Sequence, residues 1–407
     1  MTLNPIGIAV PFFFLLIGIE WRVLARRRQA PQFNNAIADM SCGLGEQLIG
    51  VFARSAVVFP YTWLYEHHRA WSLDSGSAWT WVLAFVLGDA LYYAYHRFSH
   101  RVNFAWATHA VHHQSEVFNL SVALRQPWFT QFYSWLFYLP MAIVGVSPVV
   151  YTTSFAINLL YQFWIHTEVI GKLGWFEWIF NTPSHHRVHH GINPKYVDKN
   201  YAGIFIVWDR MFGTFIEEEE RPEYGTLKPL RSWNPLWANV ALWWGMLQGA
   251  WNAARWRDKL TVWFAPPGWA PDTGVPDPAS LFPPEGRGYA ENGARSLHRY
   301  ILVQLGLQGA VMAPLLSFEE DVDGLLSILA ATSVFWVVAI WAGWFESKRW
   351  AWPGEWLRLL ALAGTCVGVA VFYEPLAPLL YIGPAVAAGN AAWLWSILKR
   401  TRRAQAA

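Results

Sequence analysis

The chain is 407 residues long, and 54% of its residues are hydrophobic, only 14% are charged and 28 are tryptophan. This composition excludes a set of ordinary soluble domains and predicts an integral membrane protein. The 30 Lys and Arg residues nearly balance the 28 Asp and Glu residues, so no strong positive field favours nucleic acid as a partner. The two cysteines, Cys42 and Cys366, lie far apart in apolar stretches, which excludes a disulfide scaffold and a thiolate metal cluster.

Apolar runs along the chain predict an all-α, multi-pass membrane protein with about nine transmembrane helices. The first run is followed by arginines rather than preceded by them, so we expect an anchored first helix and not a cleaved signal peptide. The predicted spans are 3–21, 41–63, 79–97, 127–146, 148–167, 298–316, 325–344, 356–373 and 377–397.

Charged residues at the ends of these runs predict the orientation in the membrane. With the N-terminus outside, every basic cluster falls on the cytosolic side, at 22–28, 97–101, 348–349 and 399–403. The acidic residues of 319–323 and Glu374 fall on the opposite side. Residues 168–297 are therefore expected on the cytosolic side, with the tryptophan-rich stretch 235–258 lying as a helix in the headgroup plane.

Shifts in composition divide the chain into three parts. We predict a membrane-embedded core at 1–260 and a four-helix transmembrane unit at 298–407. Between them, the residues of 261–297 are rich in Pro and Gly, which is typical of a linker.

Histidines are concentrated in one part of the chain, because ten of the thirteen lie between residues 96 and 190. One pair is four residues apart, and two clusters share the offsets 0, 3 and 4, which place each cluster on one face of a helix. Together with a histidine at the end of the fifth predicted span, they offer nine imidazoles that are expected to converge: His96, His100, His109, His112, His113, His166, His186, His189 and His190.

Nine imidazoles are too many for a single metal ion and suit two ions, so the pattern predicts a dinuclear metal site. Imidazole binds iron, zinc and copper, and the residues alone do not choose among these metals. The chain shows no obvious bridging carboxylate of the Glu-x-x-His kind that ferritin-like bundles use. The alternatives are surface or headgroup-binding histidines, or separate structural zinc sites.

Two further residues near these histidines are candidates for supporting roles. His185 lies one residue off the face of its cluster, which favours a position behind the ligands or towards a substrate. Asp89 lies seven residues before His96, and an ionisable residue inside a span is a functional candidate. We expect it to accept an N–H from a ligand imidazole, with pairing to Arg54 or to a backbone group as the alternative.

The clusters read His96-Arg-Phe-Ser-His100, His109-Ala-Val-His112-His113 and His186-Arg-Val-His189-His190. They resemble the three histidine boxes of the fatty acid hydroxylase and sterol desaturase superfamily, and are called the first, second and third box below. Within that superfamily the chain resembles the alkylglycerol monooxygenase family. The likeness is strong over roughly 80–270, and it is carried by residues 115–126, 158–168, 181–190, 198–203 and 208–214.

The resemblance implies a membrane-embedded diiron monooxygenase that cleaves the ether bond of alkylglycerols with O2 and tetrahydrobiopterin. It implies that the nine histidines bind two iron ions. It also marks Gln162 as a candidate to hold a water beside one metal, with a polar contact inside the helix bundle as the alternative. Glu116, Asn119 and Arg125 follow the second box and are expected to meet the lipid head group, with a helix cap and a membrane headgroup contact as the alternative.

The chain departs from the family pattern beside the first box. Ether-cleaving members have a glutamate directly after the second histidine of that box, where this chain has Arg101. A basic side chain cannot accept the N–H groups of a pterin. An electron-transfer protein is therefore the alternative reductant, unless Glu116 or Glu168 supplies the missing acceptor.

Two other functions are compatible with the residues. The first is a hydroxylase or desaturase of a sterol, carotenoid or fatty acyl chain, because the boxes fix the oxidant and not the substrate. The second is a histidine-rich metal or lipid transporter, which is disfavoured because the histidines gather at one side instead of lining a path across the spans. The expected location is the bacterial cytoplasmic membrane or the endoplasmic reticulum membrane, with the active site on the cytosolic side.

Overall fold

The computed structural model describes residues 5–27, 32–284, 288–289, 295–317, 324–373 and 376–406. These described residues form helices and three isolated β-bridges but no β-strand, which confirms the predicted all-α class. The chain separates into two compact units, the first made of residues 1–231 and 236–289, the second of 232–235 and 290–407.

The first unit carries the histidine boxes. Up to residue 289 the α-helices are α1 Pro5–Arg26, α2 Phe33–His68, α3 Ala78–Arg101, α4 Asn103–His113, α5 Leu139–Val144, α6 Pro148–Trp164, α7 Pro183–His189, α8 Val207–Met211, α9 Pro235–Asn252 and α10 Trp256–Phe264. Short 3₁₀ helices lie at Val122–Leu124, Thr130–Phe132, Ser134–Tyr138, Gly174–Trp178 and Pro278–Leu281. Because α3 packs against both α4 and α6, the ends of these helices meet beside the first box.

A turn between α5 and α6 sets where the long helix α6 begins. Gly145 ends α5 with a φ of 100°, and a Cβ at this position would collide with the carbonyl of Trp71. The Ser147 hydroxyl then accepts a hydrogen bond from the Val150 N–H at 3.5 Å, and Pro148 occupies the first turn of α6, where no N–H is needed.

Eight of the nine predicted spans coincide with a long helix, and the fourth does not. Residues 127–146 form two 3₁₀ helices and the short α5, partly because Trp128 donates its backbone N–H to Asn239 and its indole N–H to the Cys42 carbonyl. The segment still runs the length of α3. Its Tyr133 hydroxyl lies 3.0 Å from Ser99 in α3, and the hydroxyl of Ser147, just after the segment, lies 2.9 Å from that of Ser75, just before α3.

Three stretches of the described residues are candidates to cross a membrane. Gly324–Phe345 and Ala351–Phe372 are each long and apolar enough, and α2 is a third candidate if its parts Phe33–Ala53 and Val57–His68, bent by 46°, form one span. The chain is a membrane protein, and the count of nine spans and their sidedness stay predictions. The acidic loop 319–323, the side chain of Arg54 and Glu374 lie outside the described residues.

Four helices form the second unit: α11 Arg295–Ser317, α12 Gly324–Phe345, α13 Ala351–Phe372 and α14 Leu379–Ala406. In it, α13 packs against α12 and α14, and α11 contacts the same two helices. The Arg358 guanidinium donates to Glu355 at 2.6 Å and to Gln304 at 2.7 Å, and all three side chains are buried. The ion pair lies within α13, and the hydrogen bond from Arg358 to Gln304 joins α13 to α11.

Candidate metal centre

Four helix ends carry the histidines. The first box lies in the last two turns of α3, the second in α4, and the third in α7 and at its C-terminus, while His166 follows α6 by two residues. The start of α4 is fixed on α10, because Asn103 donates its backbone N–H to Ala265 and its side-chain amide to Val262. All nine histidines are buried.

The nine imidazoles form two groups, in each of which one ring nitrogen per histidine lies within 4.8 Å of the others. We call them the five-histidine group, which contains His96, His100, His109, His113 and His189, and the four-histidine group, which contains His112, His166, His186 and His190. The second and third boxes each contribute to both groups. The ring centroids of His113 and His190, one from each group, are 4.3 Å apart, so the groups are neighbours.

Backbone carbonyls fix the orientation of four rings. A carbonyl can only accept a hydrogen bond, so the Nδ1 of each of these rings carries the proton and the lone pair is on Nε2. The Nδ1 to oxygen distances are 2.7 Å from His96 to Tyr201, 2.7 Å from His166 to Gln162, 3.0 Å from His189 to Lys199 and 3.2 Å from His112 to Arg125.

Two of these oriented rings point their lone pairs at each other. The Nε2 atoms of His112 and His166 are 3.1 Å apart, although both carry their proton on Nδ1. Two facing lone pairs repel each other unless a cation lies between them. A spacing near 3 Å is also expected of neighbouring nitrogen ligands whose bonds to one ion are about 2 Å long. The residues of both groups therefore fit metal ions held by imidazole alone.

Burial keeps the rings in the form that binds metal. It lowers the pKa of His112 to about 4 and that of His189 to about 3, because the charged imidazolium loses its hydration. Both rings are therefore neutral at pH 7, and metal binding does not have to displace a proton from Nε2.

His185 lies outside both groups. Its ring packs against Phe215 with centroids 5.4 Å apart, and its carbonyl accepts a hydrogen bond from Asn200 at 3.1 Å. Burial lowers the pKa of this ring to about 4, so it is neutral at pH 7. The structure thus places His185 on the far side of α7 from the ligand nitrogens, beside the segment that follows the third box.

Gln162 lies inside the helix bundle, as the alternative interpretation had it. Its amide oxygen accepts a hydrogen bond from the Tyr92 hydroxyl at 2.7 Å, and its amide nitrogen donates to Asn158 at 2.6 Å. The contact with the site comes from its backbone carbonyl, which accepts from His166. The side chain of Gln162 is therefore engaged in hydrogen bonds inside the bundle, to Tyr92 on α3 and Asn158 on α6.

Asp89 does not bond to an imidazole, so that prediction is wrong. Its carboxylate accepts hydrogen bonds from the backbone N–H groups of Ile204 and Phe205, from the Trp208 indole and from the Asn158 amide. The alternative of a backbone partner is correct, and it arises because the chain after residue 200 folds back over the buried face of α3.

Two of the residues expected at a lipid head group are buried, and one of them, Arg125, supports the second box instead. Arg125 donates from Nε to the Val111 carbonyl at 2.6 Å and forms an ion pair of 3.1 Å with Asp39. Asn119 accepts the backbone N–H of Ser121 at 2.9 Å, which makes it a local cap. Neither side chain is exposed to a lipid, since both are at least 95% buried.

The two acidic candidates, Glu116 and Glu168, are more accessible than Arg125 and Asn119. The Glu116 carboxylate accepts the backbone N–H of Gly288 at 2.7 Å. Glu168 accepts from the Tyr224 hydroxyl at 3.1 Å and lies 3.4 Å from the Arg221 guanidinium. Both residues are partly buried.

Arg101 is paired rather than free. Its guanidinium lies 2.7 Å from Asp198, and the same carboxylate has its other oxygen 3.9 Å from His100 Nδ1. Asp198 was missed by the sequence reasoning, although it begins a segment that carries the family resemblance. The side chain of Arg101 is 56% exposed, so this pair lies at the surface beside the five-histidine group.

Two more buried ionisable residues support the site and were missed, as was the partly buried Glu218 that one of them binds. Glu20, inside the first predicted span, accepts the Leu120 N–H at 2.8 Å and bonds to the Thr167 hydroxyl next to His166. A charge in an otherwise apolar run was the signal that could have found it. In α7, Arg187 makes two hydrogen bonds of 2.7 Å to the Glu218 carboxylate, a bidentate pair whose partner lies 31 residues away.

Comparison with known proteins gives the class of protein first. The family model described as Fatty acid hydroxylase matches residues 81–214, the part of the chain that holds all three boxes and His166. No solved structure matches the chain.

Curated relatives then narrow the class. Alkylglycerol monooxygenase of Xenopus tropicalis is 40% identical over 310 residues, which are 74% of this chain and 69% of that protein. Those of Danio rerio and Homo sapiens are 44% and 42% identical, over 65% of this chain and 59% of each relative. The chain therefore belongs to the alkylglycerol monooxygenase family, within the fatty acid hydroxylase superfamily. It is accordingly an oxygen-dependent oxidoreductase that acts on a lipid in a membrane.

Proposed function

We propose that this protein is a diiron monooxygenase that cleaves the O-alkyl bond of alkylglycerol ether lipids. The observation that carries the proposal is the pair of adjacent, buried groups of imidazoles, in one of which the Nε2 lone pairs of His112 and His166 face each other. Both groups consist of histidine only, and the relatives are named for this reaction. The proposed ligands are His96, His100, His109, His113 and His189 for one ion, and His112, His166, His186 and His190 for the other.

Bound iron would supply the activation of O2 that oxidises a C–H bond of the lipid. The chain's own residues prepare the site for it. Four backbone carbonyls fix the tautomers of four rings, so the Nε2 lone pair of each ring is free to bind a metal ion. The carbonyls are those of Tyr201, Lys199, Gln162 and Arg125. Burial of all nine rings keeps bulk water away from the reacting C–H bond.

The reaction requires little further help from the protein. Insertion of one oxygen atom at the carbon next to the ether oxygen gives a hemiacetal, which separates into an aldehyde and a free glycerol hydroxyl. The other oxygen atom leaves as water, and this takes two electrons and two protons. Because the hemiacetal breaks down without a dedicated acid or base, the absence of a catalytic carboxylate among the ligand groups is compatible with ether cleavage.

Arg101 affects which reductant the protein can use. In this chain the position that carries a glutamate in ether-cleaving members is occupied by an arginine already paired with Asp198 at 2.7 Å. Tetrahydrobiopterin can still serve if Glu116 or Glu168 accepts its N–H groups. An electron-transfer protein is the other source of the two electrons.

One assay separates these reductants. Purified protein is given an alkylglycerol and O2, with either tetrahydrobiopterin or a ferredoxin-type reductant, and the aldehyde is measured. Formation of the aldehyde in the presence of either reductant supports ether cleavage. If no aldehyde forms with either reductant, ether cleavage is contradicted. If the pterin alone fails, Arg101→Glu should restore pterin-dependent turnover. Strong pterin-dependent turnover by the wild type would show that a residue other than Arg101 accepts the N–H groups of the pterin.

A second candidate substrate follows from the family model, whose description names fatty acid hydroxylation. The same site would then hydroxylate a sterol, carotenoid or acyl chain and would release an alcohol instead of an aldehyde. Lipid profiling of cells with and without the gene distinguishes the two, because ether lipids accumulate on deletion only if they are the substrate.

We also propose that the metal centre faces the cytosol. The boxes lie at the ends of α3 and α6 that are next to Arg97 and Arg101, and basic residues favour the cytosolic side. The four-helix unit at 298–407 would then anchor the C-terminus in the same membrane. Single cysteines at Lys172 and Asp321 in a cysteine-free variant test this, since they should be labelled from opposite sides.

A further inference from the structure

We propose that Asp89 and Asp209 are positioning residues that together clamp the segment 201–205 and thereby hold the five-histidine group in shape. The proposal rests on the function proposed above, because it concerns the support of the same ligands. It assigns a role to two buried carboxylates that contact neither a ligand imidazole nor a cation among the described residues.

The first step of the argument is the set of bonds to the segment. Asp209 accepts the backbone N–H groups of Tyr201 and Ala202, both at 2.8 Å. Asp89 accepts those of Ile204 and Phe205, at 2.7 and 2.9 Å. Four backbone donors in five residues are therefore held by two charged acceptors, and hydrogen bonds to a charged group are about twice as strong as neutral ones.

The second step is the close fit of Gly203, which lies between the two pairs of bonded N–H groups. A Cβ added to Gly203 would lie 2.7 Å from the nearer Asp89 oxygen and 2.9 Å from Tyr92 on α3. The segment thus lies directly on α3, one turn before the first box, and only glycine allows this approach.

The third step links the segment to the ligands. Its first residue, Tyr201, offers the carbonyl that accepts from His96 Nδ1, and Lys199 just before it offers the carbonyl for His189. Both rings belong to the five-histidine group. The carbonyls that orient the four-histidine group come from Gln162 and Arg125, which lie outside the clamped segment. The clamp should therefore affect one group and not the other.

A carboxamide tests the clamp because it keeps the shape of the side chain. In Asp89, one oxygen faces Ile204 and Asn158 donors and the other faces Phe205 and Trp208 donors. The NH2 of Asp89→Asn must face one of these pairs, so two hydrogen bonds are lost. Asp209→Asn acts in the same way on the other half of the segment. Ser154→Ala is the matched control, since Ser154 is buried beside Asp89 but does not bond to the segment.

The first readout is iron. In the purified full chain reconstituted with 57Fe, we expect Asp89→Asn and Asp209→Asn to weaken iron binding in the five-histidine group about 10- to 100-fold. The Mössbauer component that disappears should be the one lost in His100→Ala, because the first box belongs to the five-histidine group alone. Ser154→Ala should keep the wild-type spectrum. Unchanged iron and unchanged components in both carboxamide variants would overturn the clamp, as would equal loss from both groups.

The second readout does not depend on metal. Hydrogen exchange of the amides at 201–205 should accelerate at least about 10-fold in Asp89→Asn, while the amides at 158–162 in α6 stay protected. If the wild type binds no iron, the proposed function fails, and this readout alone decides the clamp. Should a carboxamide variant not fold, Gly203→Ala replaces it, and unaltered exchange at 201–205 in that variant would equally overturn the proposal.

Discussion

The two histidine groups contain the same ligand type but are held in different ways. In the four-histidine group, one orienting carbonyl is that of Gln162 in the last turn of α6. In the five-histidine group, both orienting carbonyls belong to the segment at 199–201, which is not helical. A helix fixes its own carbonyls through its hydrogen bonds, whereas a loop needs other groups to do so. This explains why two buried carboxylates, Asp89 and Asp209, hold the segment that follows residue 200.

The boxes themselves connect the two groups. In α4, His109 and His113 belong to the five-histidine group and His112 to the other, and in α7 the assignment is reversed. An i, i+4 pair therefore serves one ion while the histidine between them serves its neighbour. Changes in the second or third box are expected to disturb both groups, whereas changes in the first box or in an outer support should disturb only one.

The largest expected effect comes from a ligand. His112→Ala should lower turnover by at least about 100-fold, because loss of a ligand exceeds the 10- to 100-fold cost of losing an outer support. Turnover and iron per chain are measured on purified protein. His185→Ala is the control, since His185 is buried and adjacent to the third box but lies outside both groups. Equal loss in both variants would contradict the assignment of ligands.

A smaller effect is expected from Arg187, which ties α7 to the segment after His166. It bonds twice to Glu218 and donates to the carbonyls of Thr167 and Ile170 at 2.9 and 2.7 Å. Arg187→Lys keeps the charge but loses the planar fork, so iron affinity should fall about 10-fold. Iron titration checks this.

The matched control is Arg221→Lys, because the Arg221 side chain is 76% exposed and lies 3.4 Å from Glu168. An exposed pair of this kind contributes little, so its iron affinity should be that of the wild type. If both lysine variants bind iron equally well, Arg187 does not support the centre.

The smallest of these effects separates a polar contact from a metal-bound water. Gln162→Leu should reduce the free energy of unfolding by about 1–3 kcal/mol, because the Tyr92 hydroxyl and Asn158 lose their partner. Both irons should stay, since the bond to His166 comes from the backbone. Thermal unfolding in detergent and iron analysis are compared with Ser154→Ala in the same helix. Loss of one iron would show that Gln162 acts at the metal.

The sequence predicted the convergence of the nine histidines better than the groups that hold them in place. Offsets of 0, 3 and 4 place histidines on one face of a helix, and both clusters do lie on helices. The division into two groups could not be predicted, because it depends on how α4 and α7 face each other. Likewise the partners of Asp89 lie up to 119 residues away in the chain, and no local pattern indicates them.

The prediction of helices also succeeds only where local sequence decides the structure. Most apolar runs predicted a helix correctly, because length and hydropathy are local properties. The run at 127–146 is apolar too, yet it forms no continuous helix, and there the backbone N–H of Trp128 bonds to Asn239 and its indole N–H to Cys42. Those partners lie 111 and 86 residues away, so only the folded chain reveals them.

Iron analysis with Mössbauer spectroscopy of the purified, 57Fe-loaded protein tests the central claim most directly. Two neighbouring groups of five and four imidazoles predict two irons per chain and two spectral components of equal area. One component should disappear in a variant of the five-histidine group alone, such as His100→Ala. A single iron per chain, zinc in place of iron after expression with both metals, or no bound metal would contradict the account.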